Sequence, residues 1–178
     1  LSAFYFDIRK DTLYCDPIDS QKRKSTIILL KIILDSLLKW FAPILSFTTE
    51  EIYRLIKQND KSIHLEKFIK FPKSFENKEL NNRWLKLIKI RDVSNISIEE
   101  KRSSKEIGSS LEANIEIKLN KEYFEISKNI DFSELCITSK ASITENTDNY
   151  IVVEATKAKG NKCPVCWKIS IEPCKRHS

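Results

Sequence analysis

The segment KCPVCWKISIEPCKRHS, residues 162–178, holds three of the five cysteines and one of the two histidines of the chain. Cys163 and Cys166 form a C-x-x-C pair with Pro164 inside it and Gly160 just before it. Cys174 and His177 form a C-x-x-H pair after seven intervening residues. Each pair can supply two corners of a tetrahedron from one tight turn, and the short loop brings the pairs together. Thiolate sulfur combined with imidazole nitrogen selects zinc over hard cations such as magnesium. Four protein ligands leave no position for a catalytic water, so one structural ion per chain is expected. The segment has too few apolar residues to fold alone, and the ion would supply what its core cannot. The competing reading is three reduced cysteines beside an unrelated histidine. A thioredoxin-like redox pair is disfavoured because no βαβ pattern surrounds this C-x-x-C.

The rest of the composition narrows the function classes. Of the 178 residues, 41% are hydrophobic and 31% charged, enough apolar material for a core. The net charge of +6 and the pI near 9.0 favour a polyanionic partner such as nucleic acid, or else mark a solvated basic surface. An odd cysteine count without a secretory signal favours metal binding over a disulfide framework, and a cytoplasmic location is expected. There are two glycines, Gly108 and Gly160, so no glycine-rich phosphate loop can form. There is no methionine, and the chain is expected to be a fragment or processed product. TIILLKIILDSLLKWFAPIL is the most apolar run, but Lys31, Asp35 and Lys39 interrupt it at helical spacing, and no membrane partner is expected.

Periodicity divides the chain into a helical part and a mixed part. Ser20 or Asp19 can cap a helix whose apolar stripe is Ile27, Leu30, Leu34, Leu37 and Phe41, and Pro43 should end it. Thr48 and Glu51 stand at capping-box spacing, with Phe47 and Ile52 placed as a hydrophobic staple, for a second helix. A long helix is expected over residues 77–107, with Leu80, Trp84, Leu87 and Ile88 on its apolar face and Gly108 as its C-cap. The period then changes to two. NIEIKL, ELCITS and NYIVVEAT read as strands, and KEYFEISKN between the first two as a short helix. The expected fold class is α+β, a helical bundle segment followed by a small α+β unit and a C-terminal zinc-binding knuckle.

Five stretches in order carry a family resemblance: LSAFYFDIRKDTLYCD, LLKWFAPILSFTTEEIY, KEIGSSLEA, LCITS and KCPVCWK. Together they resemble the C-terminal third of bacterial isoleucyl-tRNA synthetases. The resemblance runs from Leu1 to His177 and is weakest over residues 120–148. It implies that residues 1–75 are the later part of the helical anticodon-binding domain. Residues 76–160 would be an α+β junction domain with the long helix, and residues 161–178 the zinc-binding tail. The family commonly ends with two cysteine pairs, and His177 stands where the last cysteine would be. The family's catalytic and editing domains lie upstream, and their HIGH and KMSKS signatures do not occur here. ATP is therefore expected to serve only a full-length enzyme that joins isoleucine to tRNA. The implied partners are the anticodon arm of isoleucine tRNA and the remainder of the synthetase chain, with the protein a monomer. A zinc-ribbon adaptor that docks on another protein is the alternative from a different class.

Individual residues carry two readings each. Trp167 beside Lys168, Lys175 and Arg176 would stack on an unpaired base while the cations hold phosphate; otherwise it covers the metal site or packs on the α+β unit. Arg9, Lys10, Arg23 and Lys24 would form part of an RNA-facing strip, or a solvated helix face. Trp40, Phe41, Phe47 and Trp84 fit core positions, Cys15 and Cys136 are expected as reduced structural thiols, and His64 as a surface or packed imidazole. Glu50, Glu51, Glu99 and Glu100 are helix acids without a chemical partner in the sequence. No catalytic residue is expected in this chain.

Overall fold

The computed structural model describes residues 2–57, 61–147 and 150–177. It separates into two compact units, Asp16–Glu76 on one hand and Leu1–Cys15 with Asn77–Ser178 on the other.

In the Asp16–Glu76 unit, Ser20 caps α2 (Gln21–Phe41), its hydroxyl accepting from the Arg23 N–H. The helix stops at Phe41 with Ala42 as C-cap, just ahead of Pro43. Helix α3 (Ser46–Lys57) starts two residues before Thr48, so the expected capping box does not form. The reason is the turn around Pro43, in which Phe41 O accepts from Ile44 N and Leu45 N at 2.9 and 2.7 Å and delivers the chain into the helix early. Leu45 O then accepts from both the amide and the hydroxyl of Thr49 at 2.9 Å. Phe47 is 91% exposed, and the staple is absent.

The small core of this unit is Leu38, Ala42, Tyr53 and Ile63, with Ile52 packed against it. The stripe expected on α2 is largely outside it, since Ile27, Leu34 and Phe41 are exposed. Trp40 is exposed too, so three of the four aromatic residues expected in a core are not buried here. Among the described residues of this unit, α3 and the turn Ile63–Leu65 pack against α2, and they select the face of Leu38. Glu50 is the polar hub: it accepts from Arg54 at 2.6 Å, and from Ser62 and the Ile63 N–H at 2.9 Å each.

In the other unit, Asn77 caps α4 (Lys78–Ser103) by accepting from Leu80 N. The helix ends four residues earlier than expected, with Ser104 rather than Gly108 in the C-cap role. Lys105 takes the left-handed conformation at φ 59°. Its amide donates to Arg102 O at 3.0 Å and that of Glu106 to Lys101 O at 3.1 Å, the paired bonds that close a helix end. Gly108 instead donates its N–H to Glu112.

Strand β1 (Ala113–Leu119) is central in a three-stranded sheet, parallel to β2 (Lys140–Glu145) and antiparallel to β3 (Val152–Lys157). Its alternation is as read: Ala113, Ile115, Ile117 and Leu119 are buried. They face Leu87, Ile90 and Ile98 of α4, with Trp84 partly buried at the margin. Leu80 of the expected face is exposed, because the contact stripe runs through Leu87, Ile90, Ser94 and Ile98. Ser97 on α4 accepts from the Ala155 N–H of β3 at 3.1 Å, so helix and strand are joined by more than apolar contact.

Helix α5 (Lys121–Ser127) follows β1 as expected. ELCITS is not a strand. Asp131 caps a short helix α6 (Phe132–Leu135) by accepting from Ser133 N and Glu134 N, and β2 starts only at Lys140. The cap and the buried side chains of Phe132, Leu135 and Cys136 outweigh the β-branched composition. Helix α1 (Asp7–Cys15) continues a π-helical turn, Ser2–Phe6, and belongs to this unit through buried Ile8 and Thr12. Among the described residues no helix is long and apolar enough to cross a membrane.

Candidate metal centre and nucleic-acid surface

A two-residue hairpin frames the knuckle. β4 (Asn161–Lys162) pairs antiparallel with β5 (Ile169–Ser170). Cys163 N donates to Lys168 O at 2.9 Å, and Trp167 N to Cys163 O at 3.0 Å, which folds the C-x-x-C loop back on itself. His177 N donates to Cys174 O at 3.0 Å and shapes the second pair in the same way. Gly160 is required at the hairpin entry. Its φ is +124°, and a Cβ there would lie 2.2 Å from the backbone of Ser170.

These turns bring the ligand atoms of Cys163, Cys166, Cys174 and His177 within 4.8 Å of one another. His177 Nδ1 lies 3.5 Å from Cys163 Sγ and 3.4 Å from Cys174 Sγ, and Cys166 Sγ lies 3.8 Å from Cys174 Sγ. The four form a group that can hold a metal ion. The backbone N–H groups of Cys166 and then Val165 point at Cys163 and hold its thiol down to about 6. The Arg176 N–H lowers that of Cys174 in the same sense. Burial pushes the Cys166 thiol up to about 11, so it needs a cation to become a thiolate near neutrality. The other ring nitrogen of His177 is engaged outside the cluster. Nε2 lies 2.8 Å from Cys15 O at the end of α1, and this carbonyl favours a protonated Nε2 and raises the pKa of the imidazole.

Helix α1 braces the knuckle at a second point. The guanidinium of Arg176 donates to Asp11 Oδ2 from Nη1 at 2.7 Å and from Nη2 at 2.8 Å. Neither Asp11 nor the Cys15 carbonyl has a local signature in the sequence, since more than 160 residues separate them from their partners.

The other cations singled out in the sequence are distributed. Arg9 pairs with Glu134 at 2.7 Å, and Lys10 with Asp7 at 2.7 Å. In the Asp16–Glu76 unit, Arg23 donates to Asp16 O at 2.7 Å and Lys24 is exposed. Lys168 donates to Ser133 at 3.3 Å. Lys175 lies 3.8 Å from Glu172 with its side chain 90% exposed. Trp167 is 59% exposed, outside the core, with Lys162 Nζ 5.5 Å from its ring centroid. It holds φ 64°, a left-handed conformation that is costly for a bulky side chain. Cys136 is buried, which raises its thiol to about 11 and leaves it inert. His64 is exposed, and Glu50 has the structural role described above.

A family model described as the anticodon-binding domain of tRNA ligase matches residues 1–119. The chain belongs to that family. Over all 178 residues it is 64% identical to an isoleucine--tRNA ligase of Pelagibacter ubique (strain HTCC1062), covering 100% of this chain and 20% of that relative. An isoleucine--tRNA ligase of Bartonella henselae is 41% identical over 94% of this chain and 18% of its own length. One from Agrobacterium fabrum is 38% identical over 97% and 19%. The chain thus spans about a fifth of the length of the curated relatives it matches.

Proposed function

We propose that this chain is the tRNA-recognising C-terminal part of an isoleucine--tRNA ligase, contributing anticodon-arm binding to an enzyme that joins isoleucine to its tRNA with ATP. The observation that carries the reading is similarity over the whole of this chain to about a fifth of an isoleucine--tRNA ligase, in a chain whose family is anticodon-binding. The exposed apolar side chains of Trp40, Phe41, Ile44 and Phe47 fit a surface that takes the remainder of the synthetase chain.

Zinc is the ion that fits the knuckle. A tetrahedron with Zn–S near 2.3 Å and Zn–N near 2.0 Å has edges of about 3.5–3.8 Å; three of the ligand pairs stand at 3.4, 3.5 and 3.8 Å, and all four ligand atoms lie within 4.8 Å of one another. Cys163, Cys166, Cys174 and His177 through Nδ1 would hold it, with Nε2–H donating to Cys15 O as the orienting outer contact. The ion would supply folding stability, not reactivity, because four protein donors close its coordination.

For RNA, Trp167 offers an exposed indole for stacking and Lys24 and Lys175 are exposed for phosphate, whereas Lys168 would have to leave Ser133 to reach one. Arg9, Lys10, Arg23 and Arg176 are held by partners within the chain, and their contribution to RNA binding runs through the fold they secure. The test is a hydroxyl-radical footprint of isoleucine tRNA with this chain. Protection should concentrate in the anticodon arm. Protection confined to the acceptor end, or none at saturating protein, would overturn the proposal and leave a protein-docking adaptor as the better reading.

A further inference from the structure

A cleft of about 700 Å³ opens beside the knuckle, lined in part by Asn114, Ser139, Lys140, Thr156, Lys157 and Lys159. Strand register explains the convergence. Asn114 lies opposite Lys140 on one side and Thr156 on the other, and Ala113 opposite Lys157, so the same end of all three strands contributes. Lys159 follows two residues later, after the Ala158 N–H is pinned to Glu112 O at 2.7 Å.

The far wall is the knuckle hairpin, and it is tied down. The Ser139 hydroxyl donates to Leu111 O at 2.5 Å and accepts from Ile169 N at 2.6 Å, bridging the sheet to β5. The cleft therefore has two fixed walls within one folded unit.

Its lysines outnumber its acids. Lys140, Lys157 and Lys159 are exposed, and none is engaged in an ion pair among the described residues. By contrast, Arg9, Lys10, Lys86, Lys101, Arg102, Lys128 and Arg176 of the same unit all face carboxylates. One acid, Glu172, lines the cleft, and it lies beside Lys175. The neutral side chains of Asn114, Ser139 and Thr156 line the same end of the cleft.

We infer that this lysine-lined cleft is an RNA-backbone subsite, in which Lys140, Lys157 and Lys159 neutralise consecutive phosphates. The inference rests on the anticodon-arm reading and assigns part of that arm's contact to the sheet end, away from Trp167. The cleft is too wide for a single phosphate ion.

The experiment titrates the anticodon arm of isoleucine tRNA against the chain, its Lys140→Gln/Lys157→Gln/Lys159→Gln variant, and a control with the same net charge, Lys78→Gln/Lys89→Gln/Lys121→Gln. At about 0.1 M salt the cleft variant should bind at least about tenfold more weakly, and its salt slope should fall by about two units, since each single-strand contact contributes about 0.7. The control should lose less than about threefold. An unchanged slope in the cleft variant, or an equal loss in the control, overturns the inference while wild-type binding leaves the broader reading intact. No wild-type binding overturns both. Competition by polyglutamate as effective as by the RNA arm would also overturn it, in favour of an acidic protein partner. Amine-reactive footprinting of the wild type covers the case in which the variant misfolds: RNA should shield all three lysines, and their full reactivity in the complex contradicts the site.

Discussion

Arg176 and Asp11 are joined by two N–H donors on one carboxylate oxygen, at 2.7 and 2.8 Å, across 165 residues of sequence. One residue further on, His177 meets the carbonyl of Cys15 at 2.8 Å. The knuckle is thus held at both its metal face and its flank by α1, and its metal affinity should depend on a helix that supplies no ligand. Asp11→Asn should destabilise the knuckle by about 1–2 kcal/mol, as expected for charged hydrogen bonds about 30% exposed. Competition with a chromophoric chelator should show weaker metal retention, while the three-stranded sheet keeps its hydrogen-exchange protection. Retention equal to wild type would show that α1 is a bystander.

Removal of the metal should separate the knuckle from the rest. Chelator treatment, or Cys163→Ser, Cys166→Ser or Cys174→Ser, should abolish stoichiometric zinc and lower the melting temperature. His177→Ala should weaken zinc without always removing it, since water can take a fourth position. The core around Leu87 and Ile117 contains no ligand and should stay folded in each case. Elemental analysis with circular dichroism on the same samples checks this.

Gly160→Ala should be among the most damaging single-methyl additions in the chain. Its positive φ and the 2.2 Å approach to Ser170 leave no relaxed position for a Cβ. Zinc affinity should fall with the hairpin. The corresponding change at Gly108, where a Cβ would meet only the flexible Glu112 carboxylate at 3.6 Å, should be nearly silent.

Glu50 gives the Asp16–Glu76 unit an acid limb. Its carboxyl is held below the ordinary 4.5, first by the Arg54 guanidinium, then by the Ile63 N–H and Ser62. A depressed carboxylate stabilises the fold fully above its unfolded value, and that stability is lost as pH falls through the lower folded value. Glu50→Gln should therefore be less stable than wild type at neutral pH, and the gap should close below pH 4.5. Denaturant titrations at several pH values measure it; a gap independent of pH would assign the effect to packing.

Sequence reading located what is local. The Ser20 cap, the stop before Pro43, the alternation of β1 and the paired ligands of the knuckle are each set by residues within a few positions of one another. It failed where neighbours decide. Apolar periodicity on α2 marks Ile27 and Leu34, yet the partners available in its unit cover Leu38. ELCITS has strand composition, but Asp131 upstream caps it into a helix. Gly108 is the obvious helix terminator, yet Lys105 closes α4 at a positive φ because Arg102 O and Lys101 O accept its amide and the next. Asp11, Cys15 and the lysine cleft depend on strand register and long-range contact. Lys157 and Lys159 are neighbours in sequence, but Lys140 joins them only through the pairing of β1 with β2 and β3.

The central claim is recognition of one tRNA's anticodon arm, and a single competition titration addresses it. The zinc-loaded chain is held with labelled isoleucine anticodon arm and challenged with unlabelled isoleucine, valine and methionine arms of the same stem length at fixed salt. The isoleucine arm should compete at least about tenfold better than the others, the discrimination of about 1.4 kcal/mol that one hydrogen-bonded base-edge contact can supply. Equal competition by all three arms would contradict recognition and reduce the chain to a general polyanion binder.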